Sequence, residues 1–242
     1  IETFAKKLED VKDLPEKVVK EAVFGSQFHT ICSGGAYLNP EYIELFERFG
    51  IQILQGYGMT ECSPVISTTV AWNVKKNSVG QLLPNCEAKT VDGELWVRGS
   101  SVMQGYYKMP EETKTALKDG WLCTGDLGYV DEERFIYLTG RKKNLIITKN
   151  GENVSPEELE NKLSSSRLVQ EVLVREAKGV IEAEIYPDEE YAKKQGLERE
   201  EEVRVELQKL IDEYNQGAPA YKKIYSLIIR NKEFEKTASR KI

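Results

Sequence analysis

Two short stretches hold residue types that could handle a phosphorylated ligand. In Gln55-Gly56-Tyr57-Gly58-Met59-Thr60-Glu61, the glycines let a ligand approach the backbone. Tyr57 offers a flat face, Thr60 a hydroxyl and Glu61 a carboxylate. A hydroxyl beside a ligand for a hard cation suits a nucleotide phosphate with Mg²⁺. In Trp121-Leu122-Cys123-Thr124-Gly125-Asp126-Leu127-Gly128, Asp126 follows an apolar strand and stands between glycines. There it could accept both hydroxyls of a ribose, as acidic residues do in dinucleotide folds. Ser33-Gly34-Gly35-Ala36 is a third place where backbone could meet a ligand, and Gly140-Arg141-Lys142-Lys143-Asn144 is a basic run. Each stretch also has a plain reading: a polar loop plugged by an aromatic, a turn aspartate, a tight strand-to-helix turn, a solvated linker. Taken singly, the residue types leave both readings open.

Composition narrows the classes. The 242 residues are 40% hydrophobic and 31% charged, enough apolar material for a core. Lys+Arg is 34 and Asp+Glu 40, a net charge of -6, which argues against a nucleic-acid binder or a polybasic membrane anchor. No apolar run approaches the roughly 18 residues that span a bilayer, and Ile1-Glu2-Thr3 does not read as a signal peptide. Cys32, Cys62, Cys86 and Cys123 lie far apart, with no Cys-x-x-Cys pair, which fits reduced thiols in a cytoplasmic protein. The single histidine, His29, leaves no partner for a two-histidine metal site.

The elements that must position these residues divide into three textures. Residues 1–77 alternate helix and strand: a helix over Ile1–Glu9, a second from Pro15 to about Phe24, a strand at Phe28–Cys32, a helix capped by Asn39-Pro40 and ended by Gly50, and a strand at Ile51–Leu54. This is an α/β layer with parallel strands. Residues 78–141 read as a small β-barrel, with an Asp92-Gly93 hairpin between Glu87–Val91 and Glu94–Arg98 and one helix from Pro110. Residues 145–242 read as a separate small α+β domain after a hinge at 142–144. Its Ser155-Pro156-Glu157-Glu158 start has Ser155 as cap and Glu158 completing a capping box. A hairpin (Glu171–Arg175 and Val180–Ile185), a charged helix (Glu200–Tyr214) and a strand (Tyr225–Arg230) follow.

The order of the motifs is more specific than any one of them. Ser33-Gly34-Gly35-Ala36, Tyr57-Gly58-Met59-Thr60-Glu61, Gly93-Glu94-Leu95-Trp96-Val97-Arg98-Gly99, Thr124-Gly125-Asp126, Gly140-Arg141-Lys142-Lys143, Gly151-Glu152-Asn153-Val154-Ser155-Pro156 and Lys236-Thr237 ahead of Lys241 follow one another. This series resembles the adenylate-forming superfamily from about residue 28 to the end. The phrasing around Tyr57–Pro64 looks most like its long-chain fatty acid acyl-CoA synthetases.

The resemblance implies a two-step ligase reaction. A carboxylate attacks the α-phosphorus of Mg-ATP to give an acyl-adenylate and pyrophosphate; the thiol of coenzyme A then takes the acyl group and AMP leaves. It implies that Tyr57 lies on the adenine, with Gly34, Gly35, Ala36, Gln55, Gly56 and Gly58 around the nucleotide. Thr60 would touch phosphate, Glu61 bind Mg²⁺, and Asp126 hold the ribose with help from Arg141. Lys143 and Asn144 would form the hinge, Gly151 and Glu152 a turn facing the CoA step, and Lys241 the catalytic lysine of the first step.

Three departures are visible. The family's Ser/Thr/Gly-rich phosphate loop and most of the fatty-acid pocket are not in these residues, so the chain is expected to be a C-terminal fragment, inactive by itself. Asn144 stands where the hinge usually has Asp or Lys, and Arg240 where a glycine is common. Two other readings are an adenylation module that passes its acyl group to a carrier protein, and a non-catalytic nucleotide-binding scaffold. Against the scaffold stands the complete set of Thr60, Glu61, Asp126, Arg141 and Lys241. Expected partners are small molecules (fatty acid, ATP, CoA), with peripheral membrane contact of the parent enzyme open.

Overall fold

The computed structural model describes residues 1–11 and 13–236. The chain forms two compact units, Ile1–Lys142 and Lys143–Ile242. No helix among the described residues is long and apolar enough to cross a membrane.

The first unit opens with helices α1 (Glu2–Glu9) and α2 (Glu16–Val23), then strand β1 (Thr30–Gly34), helix α3 (Pro40–Arg48) and strand β2 (Gln52–Gly58). Asn39 caps α3 as its position suggests: its side chain accepts the Glu41 N–H at 2.9 Å. The buried side chains Leu8, Phe46, Phe49, Ile51 and Ile53 weld these helices to one another and to β2. Short strands β3 (Val65–Thr68) and β4 (Gln81–Leu82) complete a sheet of order β1-β2-β3-β4.

The two parallel strands are bounded differently from the sequence reading. β1 starts at Thr30 rather than Phe28 and takes in Ser33 and Gly34. β2 does not end at Leu54 but runs through Gly58. Its first five residues pair in parallel with β1, and Gly56–Gly58 pair antiparallel with β3. Gln55, Gly56, Tyr57 and Gly58, read as a loop, are therefore strand. Gly58 has no alternative there: a Cβ at this position would lie 1.9 Å from the Pro64 carbonyl oxygen.

The half-barrel follows: β5 (Cys86–Val91), β6 (Glu94–Gly99), α4 (Pro110–Ala116), β7 (Leu117–Lys118), β8 (Trp121–Val130) and β9 (Ile136–Arg141). The sheet order is β5-β6-β8-β7, with β9 on the other part of β8. Asp92 and Gly93 both have positive φ (49° and 80°), as a two-residue hairpin requires. A bridge between Gln81 and Phe135 ties the barrel to the first sheet. One core, with Tyr57, Ile66, Leu82, Leu95, Val97 and Leu122, lies beneath both sheets. That shared core fixes the end of β2 against β8.

The second unit contains β10 (Ile146–Ile147) paired with β11 (Asn153–Val154), then α5 (Pro156–Leu163), β12 (Val169–Ala177), β13 (Val180–Pro187), α6 (Glu189–Lys194), α7 (Glu200–Gly217) and β14 (Ile224–Ile229). β12 and β13 are the expected hairpin, and β14 joins β13 in parallel. Leu159, Leu163, Leu207 and Ile211 pack the helices onto this sheet. The capping box expected at Ser155 does not form. Ser155 Oγ donates instead to Glu157 at 2.8 Å, and Glu158 accepts from Lys222 Nζ at 2.7 Å.

Candidate active site

Register places the decisive side chains. Asp126 of β8 stands opposite Arg141 of β9, and Arg141 Nε lies 2.8 Å from Asp126 Oδ1. From the neighbouring sheet, Tyr57 donates its hydroxyl to Asp126 Oδ2 at 2.6 Å. Thr124 braces the same stretch of β8: its Oγ1 accepts the Asp126 N–H at 3.1 Å and donates to the Leu95 carbonyl at 2.7 Å. Asp126 is 4% exposed and Tyr57 8%. Burial first, and then the Asp126 charge, push the Tyr57 phenol far above its ordinary pKa, so it stays protonated and donates.

The glycines lie beside this group. Gly34 pairs with Gly56 across β1 and β2, and a Cβ on Gly34 would sit 3.0 Å from the Gly56 carbonyl oxygen. Gly34, Gly35 and Ala36 are exposed. Gln55 is engaged elsewhere: its amide donates to the Ser78 carbonyl at 3.2 Å.

Beyond β2, Thr60–Cys62 form a single 3-10 turn, with Thr60 exposed. Glu61 is held twice by one loop. Its carbonyl accepts the Met103 N–H at 2.8 Å, and its Oε1 accepts the Tyr106 hydroxyl at 2.8 Å. That hydrogen bond, then burial, raise the Tyr106 pKa, so the phenol remains the donor.

Glu94 is a further buried carboxylate. It accepts the Gly125 N–H at 2.9 Å and the Lys142 ammonium at 2.9 Å. Burial raises its pKa, but Lys142 and the Gly125 N–H lower it by more, and it lies below the usual carboxylate range. Sequence reasoning passed over Tyr106, Glu94 and Thr124 as site residues. Glu94 and Thr124 stood within two of the ordered motifs without being given a role, and the local signal for Tyr106 was the glycine before it.

In the second unit, Asn144 donates to Glu157 Oε1 at 2.6 Å. Gly151 and Glu152 are exposed in a tight turn closed on Thr148, whose N–H donates to the Glu152 carbonyl at 2.9 Å. Lys241 lies outside the described residues.

Residues 2–107 match the AMP-binding enzyme family, and residues 143–242 match the AMP-binding enzyme C-terminal domain. The chain belongs to the adenylate-forming, AMP-binding enzymes. Among this family's curated members, a long-chain-fatty-acid–CoA ligase of Bacillus subtilis is 39% identical over 163 residues, which is 62% of this chain and 29% of that enzyme. A 4-coumarate–CoA ligase-like protein of Oryza sativa is 42% identical over 165 residues, 61% of this chain and 30% of that protein. The chain thus spans less than a third of the length of these relatives. Among solved AMP-binding enzymes, o-succinylbenzoate CoA synthetase of Bacillus subtilis with its acyl-adenylate intermediate superposes with a TM-score of 0.77 at 27% identity. The match covers 98% of this chain and 48% of that one. A second structure of that enzyme holds ATP and a magnesium ion, with a TM-score of 0.73 at 28% identity over 97% of this chain and 48% of that one.

The donors present fit a magnesium ion carried by a nucleotide. No group of three or more His, Cys, Asp or Glu able to hold a metal exists among the described residues. Magnesium in such enzymes needs only one or two carboxylates, with phosphate and water completing its shell. Glu61 could supply one: its Oε1 is bonded to Tyr106, and its Oε2 accepts no hydrogen bond from the described residues.

Proposed function

We propose that these residues are the nucleotide-handling and C-terminal part of an ATP-dependent acyl-CoA ligase whose acid is a long-chain fatty acid. The observation that carries the reading is Asp126, a buried carboxylate bonded by Tyr57 and Arg141 at the meeting of two sheets. In this reading Asp126 receives the ribose hydroxyls and the Tyr57 ring lies on the adenine. The Thr60 hydroxyl donates to phosphate, and Glu61 holds the nucleotide's magnesium, which offsets phosphate charge as the acid attacks phosphorus. Lys241 adds positive charge in the same step. Lys143 and Asn144 act as the hinge between half-reactions. Gly151 and Glu152 serve the transfer to CoA. The fatty-acid assignment draws on relatives such as the Bacillus ligase, at 39% identity.

Pyrophosphate exchange by the complete enzyme, with fatty acids of graded length against coumarate and o-succinylbenzoate, tests the acid. AMP release with CoA against a phosphopantetheinyl carrier tests the acceptor. Long fatty acids and CoA are the expected substrates. Exchange with aromatic acids alone, or AMP release only with a carrier, overturns the corresponding half.

A further inference from the structure

Three buried or partly buried carboxylates of the first unit share one habit. Asp126 pairs with Arg141, Glu94 with Lys142 and Asp131 with Lys75, each at 2.8–2.9 Å. Glu61 breaks the pattern: its partner is a neutral phenol, at 2.8 Å, and it joins no ion pair among the described residues. The difference has a chemical meaning. An ammonium or guanidinium on a carboxylate neutralises it and competes with any other cation. A neutral donor fixes the group's rotation and leaves its charge in place.

The loop carrying Tyr106 is built to hold that phenol still. Its Met103 N–H grips the backbone of Glu61 itself, so phenol and carboxylate are referenced to one another. The Tyr106 N–H donates to Thr113 Oγ1 at 2.9 Å, and that hydroxyl donates to the Met109 carbonyl at 2.8 Å. Gly105, at φ 150°, passes so close to Thr113 that a Cβ would lie 2.7 Å from Thr113 Cγ2. Helix α4 thus anchors the loop, and the loop anchors the carboxylate.

We propose that Tyr106 is a positioning residue for the nucleotide-bound magnesium ion. It pins Glu61 Oε1, so that Oε2 and the undiminished charge face the cation. The proposal rests on the reading of Glu61 given above.

The test is a double-mutant cycle on the complete enzyme, read as calorimetric binding of Mg-ATP and of ATP in EDTA. Y106F removes one hydrogen bond to a charged group and is expected to weaken Mg-ATP about tenfold. Affinity for magnesium-free ATP should stay within about twofold, since the lost bond acts only through the metal ligand. E61Q should weaken Mg-ATP at least as much, and Y106F/E61Q should be no weaker than E61Q alone. Unchanged Mg-ATP affinity in Y106F overturns the proposal. So does an equal loss for magnesium-free ATP, or a Y106F penalty that persists in the E61Q background, because either result makes Tyr106 a loop-packing residue. If E61Q binds Mg-ATP as tightly as the parent, the metal role of Glu61 itself falls, and this proposal with it.

Discussion

Glu94 joins the part of β8 just before Asp126 to the residue at which the first unit ends. One carboxylate receives both the Gly125 N–H and the Lys142 ammonium, each at 2.9 Å. Its side chain is 7% exposed, whereas that of Lys142 is 55% exposed. The pair is therefore asymmetric: a buried charge answered by a half-solvated one.

Lys142→Ala should cost on the order of 1 kcal/mol at neutral pH, since solvent screens the ammonium. Glu94→Ala should cost more, because the Gly125 N–H also loses its acceptor. Glu94 titrates below its unfolded value, so its contribution is present above about pH 4.5 and is lost as pH falls through the folded pKa. Denaturant unfolding of parent and Lys142→Ala at pH 7 and pH 3 checks this. A gap between them that does not shrink in acid would rule out the Glu94 charge as its source.

Asp126→Ala should raise the ATP KM of the complete enzyme at least tenfold. Each charge-assisted bond to a ribose hydroxyl is worth roughly 1.5–3 kcal/mol. It should also lower the melting temperature, because the Tyr57 hydroxyl loses its acceptor in a site only 8% exposed. An ATP KM within about twofold of the parent's removes the ribose role.

Glu160 gives the second unit its own pH dependence. It accepts the Val174 N–H at 2.8 Å. Burial pushes its pKa from 4.5 up to about 7, against the lowering by that N–H and with a smaller push from Glu157. The folded state binds the extra proton, so stability is fully present below about pH 4.5 and is lost as pH rises to about 7. The loss should be on the order of 3 kcal/mol. Glu160→Gln keeps an acceptor without the charge and should flatten the profile between pH 5 and pH 8. A profile that is the same in both proteins would place the titration elsewhere.

Lys241→Ala in the complete enzyme should slow pyrophosphate release about 10²–10³-fold, as loss of a donor to developing charge does. The same variant should convert a supplied acyl-adenylate and CoA to thioester at near-normal rate. Equal loss in both steps, or none in either, ends the assignment.

Local signals made much of this legible. Asn39 and the Asp92-Gly93 pair act within a few residues, and both elements form where the sequence puts them. The order of the motifs carried the family. What stayed hidden depends on distant partners. Gln55-Gly56-Tyr57-Gly58 has two glycines and no β-branched residue, so propensity says loop; pairing with β1 and β3 overrides it. Glu158 leaves its capping box for Lys222, 64 residues away. Tyr106 meets Glu61 across 45 residues, and Lys142 meets Glu94 across 48, separations that no spacing rule encodes.

The double pairing of β2 bears on the thermodynamics of binding. Gly56 is bonded into ladders on both sides, to Gly34 and to Thr68, and Tyr57 sits in the shared core. Backbone of this kind opens only with the larger part of its unit, so its amides belong among the slowest to exchange with solvent. An adenine that meets Tyr57 meets a surface already in place. Little chain entropy is then lost on that side of the ligand, and more of the contact energy survives as affinity.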